Sequence, residues 1–222
     1  MSIRIEVLPF IGVAIVVFGL ATALALFLKK RKTATGLVVL GLVWIGYLLY
    51  FFRDPVRTPP QDPAFVLAGA DGTVVAVTNV SANTYLKCDA VRVSIFLRLT
   101  DVHVNRAPLA GEIDFLGRFP GSRYFTFQEA SSWHNTHNAI LIDGDATRCL
   151  VKQIAGPVTR EVVYWLEEGQ SVSAGDKIGM MKFGSRLDTY LPAEDVEVRV
   201  AEGQRVRAGE TVLAVVKEES IH

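Results

Sequence analysis

The pair Gly184-Ser185 carries the most chemistry in this 222-residue chain. It stands in Met180-Met181-Lys182-Phe183-Gly184-Ser185-Arg186. A serine in a tight turn can attack the carbonyl just before it, because glycine lacks a Cβ and lets the backbone take strained geometry. The peptide becomes an ester; β-elimination and hydrolysis then leave a pyruvoyl group on the new N-terminus. Gly-Ser is also an ordinary turn signal. A second cluster, Asp101-Val102-His103-Val104-Asn105-Arg106-Ala107-Pro108, follows an apolar strand. His103 titrates in a range suited to moving protons near neutral pH. Asp101 and His103 alternate, so in a strand they share a face. Arg106 is either a bidentate clamp for a carboxylate or phosphate, or a surface ion pair. Asp71, before Gly72, is turn chemistry or a carboxylate that orients a histidine. His134 and His137 have a metal-like spacing for a helix, but the stretch leads into a strand and no Cys or further His lies near, so no metal is expected.

These residues need a scaffold, and the segments around them read as β. Gly72–Val80, Val91–Leu97, Ile113–Phe119, Tyr124–Phe127, Ala139–Ile142 and Leu150–Ile154 are rich in Val, Ile, Phe and Thr and are punctuated by Gly, Asp, Asn or Pro. Val158–Glu168 reads as a short helix or another strand. Glu168–Asp176 is echoed by Glu202–Glu210 at an offset of 34 residues, each copy reading as turn, short strand, Ala-Gly turn and strand (Lys177–Met181 and Thr211–Val216). Two copies suggest a pseudo-symmetric pair of β half-barrels of the lipoyl-carrier type and are too few for a solenoid.

Composition divides the chain. It holds 23 basic and 23 acidic residues, a net charge of zero. Residues 1–52 carry five basic residues against one acidic, leaving the remainder at −4. Zero net charge argues against a nucleic-acid partner. Cys88 and Cys149 make neither a disulfide framework nor a metal site. Val7–Leu28 is an uncharged run of 22 residues, and Gly36–Phe52 is a second of 17, loaded with Trp44, Tyr47, Tyr50, Phe51 and Phe52. About 20 apolar residues cross a bilayer as a helix. A cleaved signal peptide explains the first run and not the second, so the expectation is a helical hairpin that spans or dips into the membrane. Basic residues on both sides leave its orientation open. Arg53-Asp54-Pro55-Val56-Arg57-Thr58-Pro59-Pro60 then reads as an extended connector, either with its arginines bound near anionic lipid headgroups or as a plain linker with ordinary snorkelling arginines.

Taken in order, Phe51-Phe52-Arg53-Asp54-Pro55, Ala70-Asp71-Gly72, Asp101–Pro108 and Lys182-Phe183-Gly184-Ser185-Arg186 resemble the short-form phosphatidylserine decarboxylase proenzymes, from about residue 51 to Val216. The resemblance implies a mainly β catalytic body with a lipoyl-carrier-like C-terminal part behind an N-terminal hydrophobic hairpin. The division is 1–52, the membrane-associated hairpin, and 53–222, a pyruvoyl-dependent decarboxylase domain. The zymogen would cut itself between Gly184 and Ser185 into a β chain, 1–184, and an α chain, 185–222, capped by pyruvate made from Ser185. Asp71 and His103 would help deprotonate Ser185. The pyruvoyl ketone would take the substrate amine as a Schiff base and act as electron sink for loss of CO2, with His103 protonating the carbon and phosphatidylethanolamine released. Arg106 would bind substrate. Longer bacterial relatives carry a second histidine where this chain has Arg106, which leaves open whether His103 serves both reactions or Asp71 acts more directly. The implied partners are a phospholipid, the bilayer and the two chains of one precursor at the cell membrane, with a homo-oligomer left open. Two other readings stand beside this one. Lys182, between the echoed strand pairs, resembles the lysine of biotinyl or lipoyl carriers, and the whole could be a non-catalytic membrane-anchored β scaffold.

Overall fold

Both uncharged runs are helices in the computed structural model, which describes residues 1–157, 162–182 and 185–217. The chain forms two compact units, Met1–Val56 and Arg57–His222. In the first, strand β1 (Ser2–Ile3) and a 3-10 turn (Ile5–Val7) lead into α1 (Leu8–Phe27). Lys29, at φ 58°, turns the chain into α2 (Arg31–Phe51). The two helices meet over small residues. Ala14 and Ala25 of α1 and Ala34 and Gly41 of α2 are buried, and a Cβ on Gly41 would stand 3.1 Å from the Phe18 ring. Small side chains let helices approach where lipid supplies no hydrophobic drive between them. Strand β2 (Arg53–Asp54) pairs with β1 and closes the open end of the hairpin. Both helices are long and apolar enough to cross a membrane.

The second unit is built of strands: β3 (Phe65–Leu67), β4 (Gly72–Asn83), β5 (Cys88–Leu97), β6 (Val104–Arg106), β7 (Gly111–Phe119), β8 (His137–Asp143), β9 (Arg148–Ile154), β10 (Val162–Tyr164), β11 (Ser171–Val172), β12 (Lys177–Met181), β13 (Ser185–Pro192), β14 (Val196–Val198), β15 (Arg205–Val206) and β16 (Val212–Val216). One short helix, α3 (Ala130–His134), lies between β7 and β8. The main sheet runs β11-β7-β8-β9-β13-β5-β4-β15, every neighbour antiparallel. Two three-stranded sheets, β10-β12-β6 and β14-β16-β3, complete the unit.

Alternation sorts the main sheet's side chains. Val93, Ile95, Leu97, Leu187, Val151 and Ile140 join the principal apolar core, which also holds Val66, Ile178, Met181 and Leu213 of the smaller sheets. The opposite face carries a second apolar cluster around Leu141, Leu150 and Tyr190 and then turns polar, with Arg92, Ser94, Arg186 and Asp188 all buried.

The internal echo is structural. Gly169, Gly175, Gly203 and Gly209 have φ of +80°, +84°, +86° and +70°, values glycine adopts at little cost. Gln170 Oε1 accepts from the Glu167 N–H, and Gln204 Oε1 from the Ala201 N–H. The short strands of the two copies, β11 and β15, cap opposite edges of the main sheet.

One expected strand is absent. Tyr124–Phe127 lies in the β7–β8 connection, where the Asn135 side chain accepts from the Tyr124 N–H at 2.7 Å and donates to its carbonyl at 2.7 Å. A side chain that satisfies the backbone locally removes its need for a ladder. Of the ambiguous Val158–Glu168, residues 158–161 lie outside the described residues, and Val162–Tyr164 is strand β10.

Candidate active site

A single row of register pairs crosses six strands of the main sheet: Phe119, His137, Ile154, Arg186, Phe96 and Thr73, each paired with the next. It marks one edge of the sheet. At that edge β13 begins with Ser185, β5 ends at Leu97 opposite it, and β4 begins just after Asp71. Gly72 is required there. A Cβ on it would stand 2.3 Å from the Phe96 carbonyl oxygen and 2.7 Å from Ile95 Cγ2. The close approach carries Asp71 up to β5.

Ser185 is fully buried, and its Oγ has no hydrogen-bond partner among the described residues. It shares a face with Leu187, toward the principal core. Segments 68–71 and 103–106 lie on that side. A Cβ on Gly69 would be 3.1 Å from Leu187 Cδ2 and 3.3 Å from the Arg106 carbonyl oxygen. Gly184, the expected cut site, lies outside the described residues.

His103 is fully buried just before β6. Its carbonyl accepts from the Met181 N–H at 3.1 Å, and Val104 pairs with Met180, so the histidine flanks the strand that runs toward Ser185. Asp101 and His103 do not share a strand as expected, since both precede β6. His103 Nδ1 lies 2.9 Å from the Asp101 backbone oxygen. The Asp101 carboxylate instead accepts from the Arg98 N–H at 2.8 Å and from Arg205 at 2.5 and 3.2 Å. Burial opposes its charge, but these donors outweigh burial and hold the carboxyl below its usual range.

Asp71 is held from two sides. The Ala208 N–H donates at 2.8 Å and Arg57 Nη2 at 2.7 Å, while Arg57 Nη1 reaches Glu210 at 2.9 Å. Burial raises the Asp71 carboxyl above its ordinary range, and the Ala208 N–H and Arg57 only partly offset it. Arg57, read as a headgroup or a linker arginine, is thus sequestered in the body. Arg106 is buried, its Nη1 donating to the Gly175 carbonyl at 2.8 Å and its N–H to Gly69.

Sequence reading missed the polar network behind Ser185. Arg186 Nε donates to Asp188 at 2.8 Å, and Nη2 to Ser94 at 2.7 Å and Glu129 at 3.1 Å. Ser132 Oγ donates to Asp188 at 2.5 Å, and Arg92 also binds Glu129. The missed signal was alternation: Arg92 and Ser94 interleave with Val91, Val93 and Ile95, as Arg186 and Asp188 do with Leu187 and Thr189. Lys182 is buried, whereas a carrier lysine must swing in solvent. The His137 ring stacks on Phe119 at 5.1 Å. Among the described residues no cluster of three potential metal ligands forms.

Comparison with known proteins gives the family. The family model described as phosphatidylserine decarboxylase matches residues 45–214. The phosphatidylserine decarboxylase proenzyme of Desulfotalea psychrophila is 34% identical over 212 residues, 94% of each chain. That of Carboxydothermus hydrogenoformans is 40% identical over 192 residues, covering 82% of this chain and 90% of its own. That of Salinibacter ruber is 43% identical over 180 residues, 80% and 79%. With a family match over most of its length and such relatives along nearly all of it, this chain belongs to the phosphatidylserine decarboxylase family and is an enzyme of that class.

Proposed function

We propose that the chain is a self-processing, pyruvoyl-dependent decarboxylase that converts phosphatidylserine to phosphatidylethanolamine and CO2 at the cell membrane, tethered by its hairpin. The observation that carries this is Ser185: a buried hydroxyl without a partner among the described residues, opening an inner strand of the main sheet at the edge where β4 begins just after Asp71. A buried hydroxyl left unbonded costs about 1–3 kcal/mol, and self-cleavage gives it a use.

In the precursor, Ser185 Oγ attacks the Gly184 carbonyl carbon and the peptide nitrogen leaves it, giving an ester. Removal of the Ser185 α-proton expels the Gly184 carboxylate. Water then releases ammonia and leaves the ketone. Asp71 is suited to accept a proton because burial raises its carboxyl, and Arg57 and the Ala208 N–H fix its direction. His103 flanks the strand leading to the cut, with Nδ1 at the Asp101 carbonyl; its other ring nitrogen is the one assigned to proton transfer. Arg106 supplies positive charge for the anionic substrate. A ketone on residue 185 would supply, through reaction with the substrate amine, the electron sink for loss of CO2. The fit to such a group is good: residue 185 is enclosed, and its neighbour Arg186 is anchored from behind.

The test is Ser185→Ala with intact-mass analysis. The parent should give two chains, the shorter one pyruvoyl-blocked, and the variant one uncut chain with no CO2 release from serine-headgroup lipid. A parent that stays whole with an unmodified Ser185 defeats the proposal.

A further inference from the structure

Among the described residues of the body, five large apolar side chains are prominently exposed: Leu99, Tyr124, Phe125, Phe127 and Trp133, between 44% and 62%. They are not scattered. Leu99 lies in the loop that leaves β5 at Leu97, and the other four in the connection that leaves β7 at Phe119 and enters β8 at His137. Leu97, Phe119 and His137 all lie along the edge where Ser185 opens β13. The body's exposed greasy surface is therefore gathered around the candidate site.

The connection is fastened from beneath. Asn135 clamps Tyr124, the Ser122 N–H donates to the His134 carbonyl at 2.6 Å, and Glu129 binds both Arg92 and Arg186. Arg92 lies under the Trp133 ring at 5.2 Å, and Phe125 stacks on Phe127 at 5.4 Å. The aromatic rings thus ride on a braced platform. Arg98, Arg118 and Arg123 are exposed beside them, while the acidic Asp101 and Glu129 of these loops are engaged by arginines. Phe, Tyr and Trp with flanking arginine are what a bilayer interface with anionic headgroups accepts.

We propose that these two loops form a lipid-docking rim, a membrane contact of the body itself, separate from the hairpin, that seats the edge bearing Ser185 on the headgroup layer. The choice of a lipid surface over a protein partner rests on the decarboxylase reading: a substrate held in a bilayer must meet the edge that carries the reacting residue, and the exposed apolar groups ring that edge. A serine-headgroup lipid would then move sideways into the site without leaving its leaflet.

The experiment uses the full chain in phosphatidylcholine–phosphatidylglycerol vesicles. A fluorophore is attached at Phe127→Cys in a Cys88→Ser background, with Lys87→Cys, in the exposed turn at the far end of the β4–β5 hairpin, as control. Lipid brominated high on its acyl chains should quench the label at 127 and spare that at 87. Equal quenching at the two sites overturns the proposal. So does cross-linking between copies through position 127 without quenching, which would make the rim a self-association face. In parallel, Phe125→Ser/Phe127→Ser should raise the vesicle lipid needed for half-maximal rate about tenfold while kcat at saturating lipid is retained. An unchanged half-saturation counts against docking. The quenching needs no catalysis, so a parent that docks but releases no CO2 refutes the decarboxylase reading alone, and an active parent that is not quenched refutes the rim alone.

Discussion

Arg186→Met probes the anchor behind Ser185. The substitution keeps most of the side-chain volume and deletes the guanidinium. Asp188, fully buried, loses its Nε donor, and Ser94 loses a partner at 2.7 Å. The bond to Glu129 adds little, because that carboxylate is half exposed. Removing one partner of a buried ion pair costs about 3–5 kcal/mol, since a buried charge is left behind. Arg92 still lies in the field of Asp188, and Ser132 still donates to it, so the low end applies, about 3 kcal/mol. For a unit of 166 residues, at about 2–4 °C per kcal/mol, the melting temperature should fall by roughly 6–12 °C. The assay is thermal melting in detergent, followed by circular dichroism, with both proteins carrying Ser185→Ala so that each is one chain. Adding Asp188→Asn removes the stranded charge and keeps an acceptor for Ser132, and should restore at least half of the loss. A single variant that melts within about 2 °C of its parent, or no rescue by Asp188→Asn, refutes the reasoning.

Three further outcomes are expected. Gly72→Ala forces a Cβ to 2.3 Å from the Phe96 oxygen, should cost about 3 kcal/mol and should slow self-cleavage by displacing Asp71; normal melting and cleavage time on gels would contradict the close approach. His103→Gln should slow the appearance of cut chains, or CO2 release by those that do form, by about 100-fold or more; near-parental rates in both steps remove His103 from the chemistry. Asp101 has a depressed folded pKa, so it stabilises above its unfolded pKa and that contribution drains away as pH falls through the folded value. Asp101→Asn should therefore be less stable than the parent at pH 7, the gap closing from about pH 5 downward; melting curves that stay parallel to pH 3 would contradict this.

The strands were legible because Val, Ile and Thr with period-2 alternation report a half-buried pleat, and Lys177–Met181 has the ends read from sequence. The echo at 34 residues was legible for a similar reason: a left-handed turn needs glycine, and the four glycines stand in register. Tyr124–Phe127 misled because aromatic β-propensity does not distinguish a packed strand from a braced, exposed loop. The Arg57–Asp71 pair is not legible in sequence, because a charge beside an apolar run looks the same whether it meets phosphate, solvent or a carboxylate 14 residues on. The site itself emerged only as an ordered set of short motifs. Asp71, His103 and Ser185 are far apart in the chain, and only the long-range pairing of β13 and β4 with β5 and of β6 with β12 fixes where each lies, which no local pattern spells out.

The location of β13 governs what a cut before residue 185 can do. Ser185–Pro192 lies along Ala90–Leu97 on one side, and Arg186–Tyr190 along Leu150–Ile154 on the other. Downstream, β15 is stitched to β4 and β16 to β3. A C-terminal fragment would thus be woven through the larger one, as an inner strand and one border of the main sheet and as two strands of a smaller sheet. Scission there is a nick in a finished weave: the halves should melt together, resist dilution and fail to exchange between molecules. Weaving must come before cutting, because a fragment released early would have to insert between β9 and β5 of an already folded sheet.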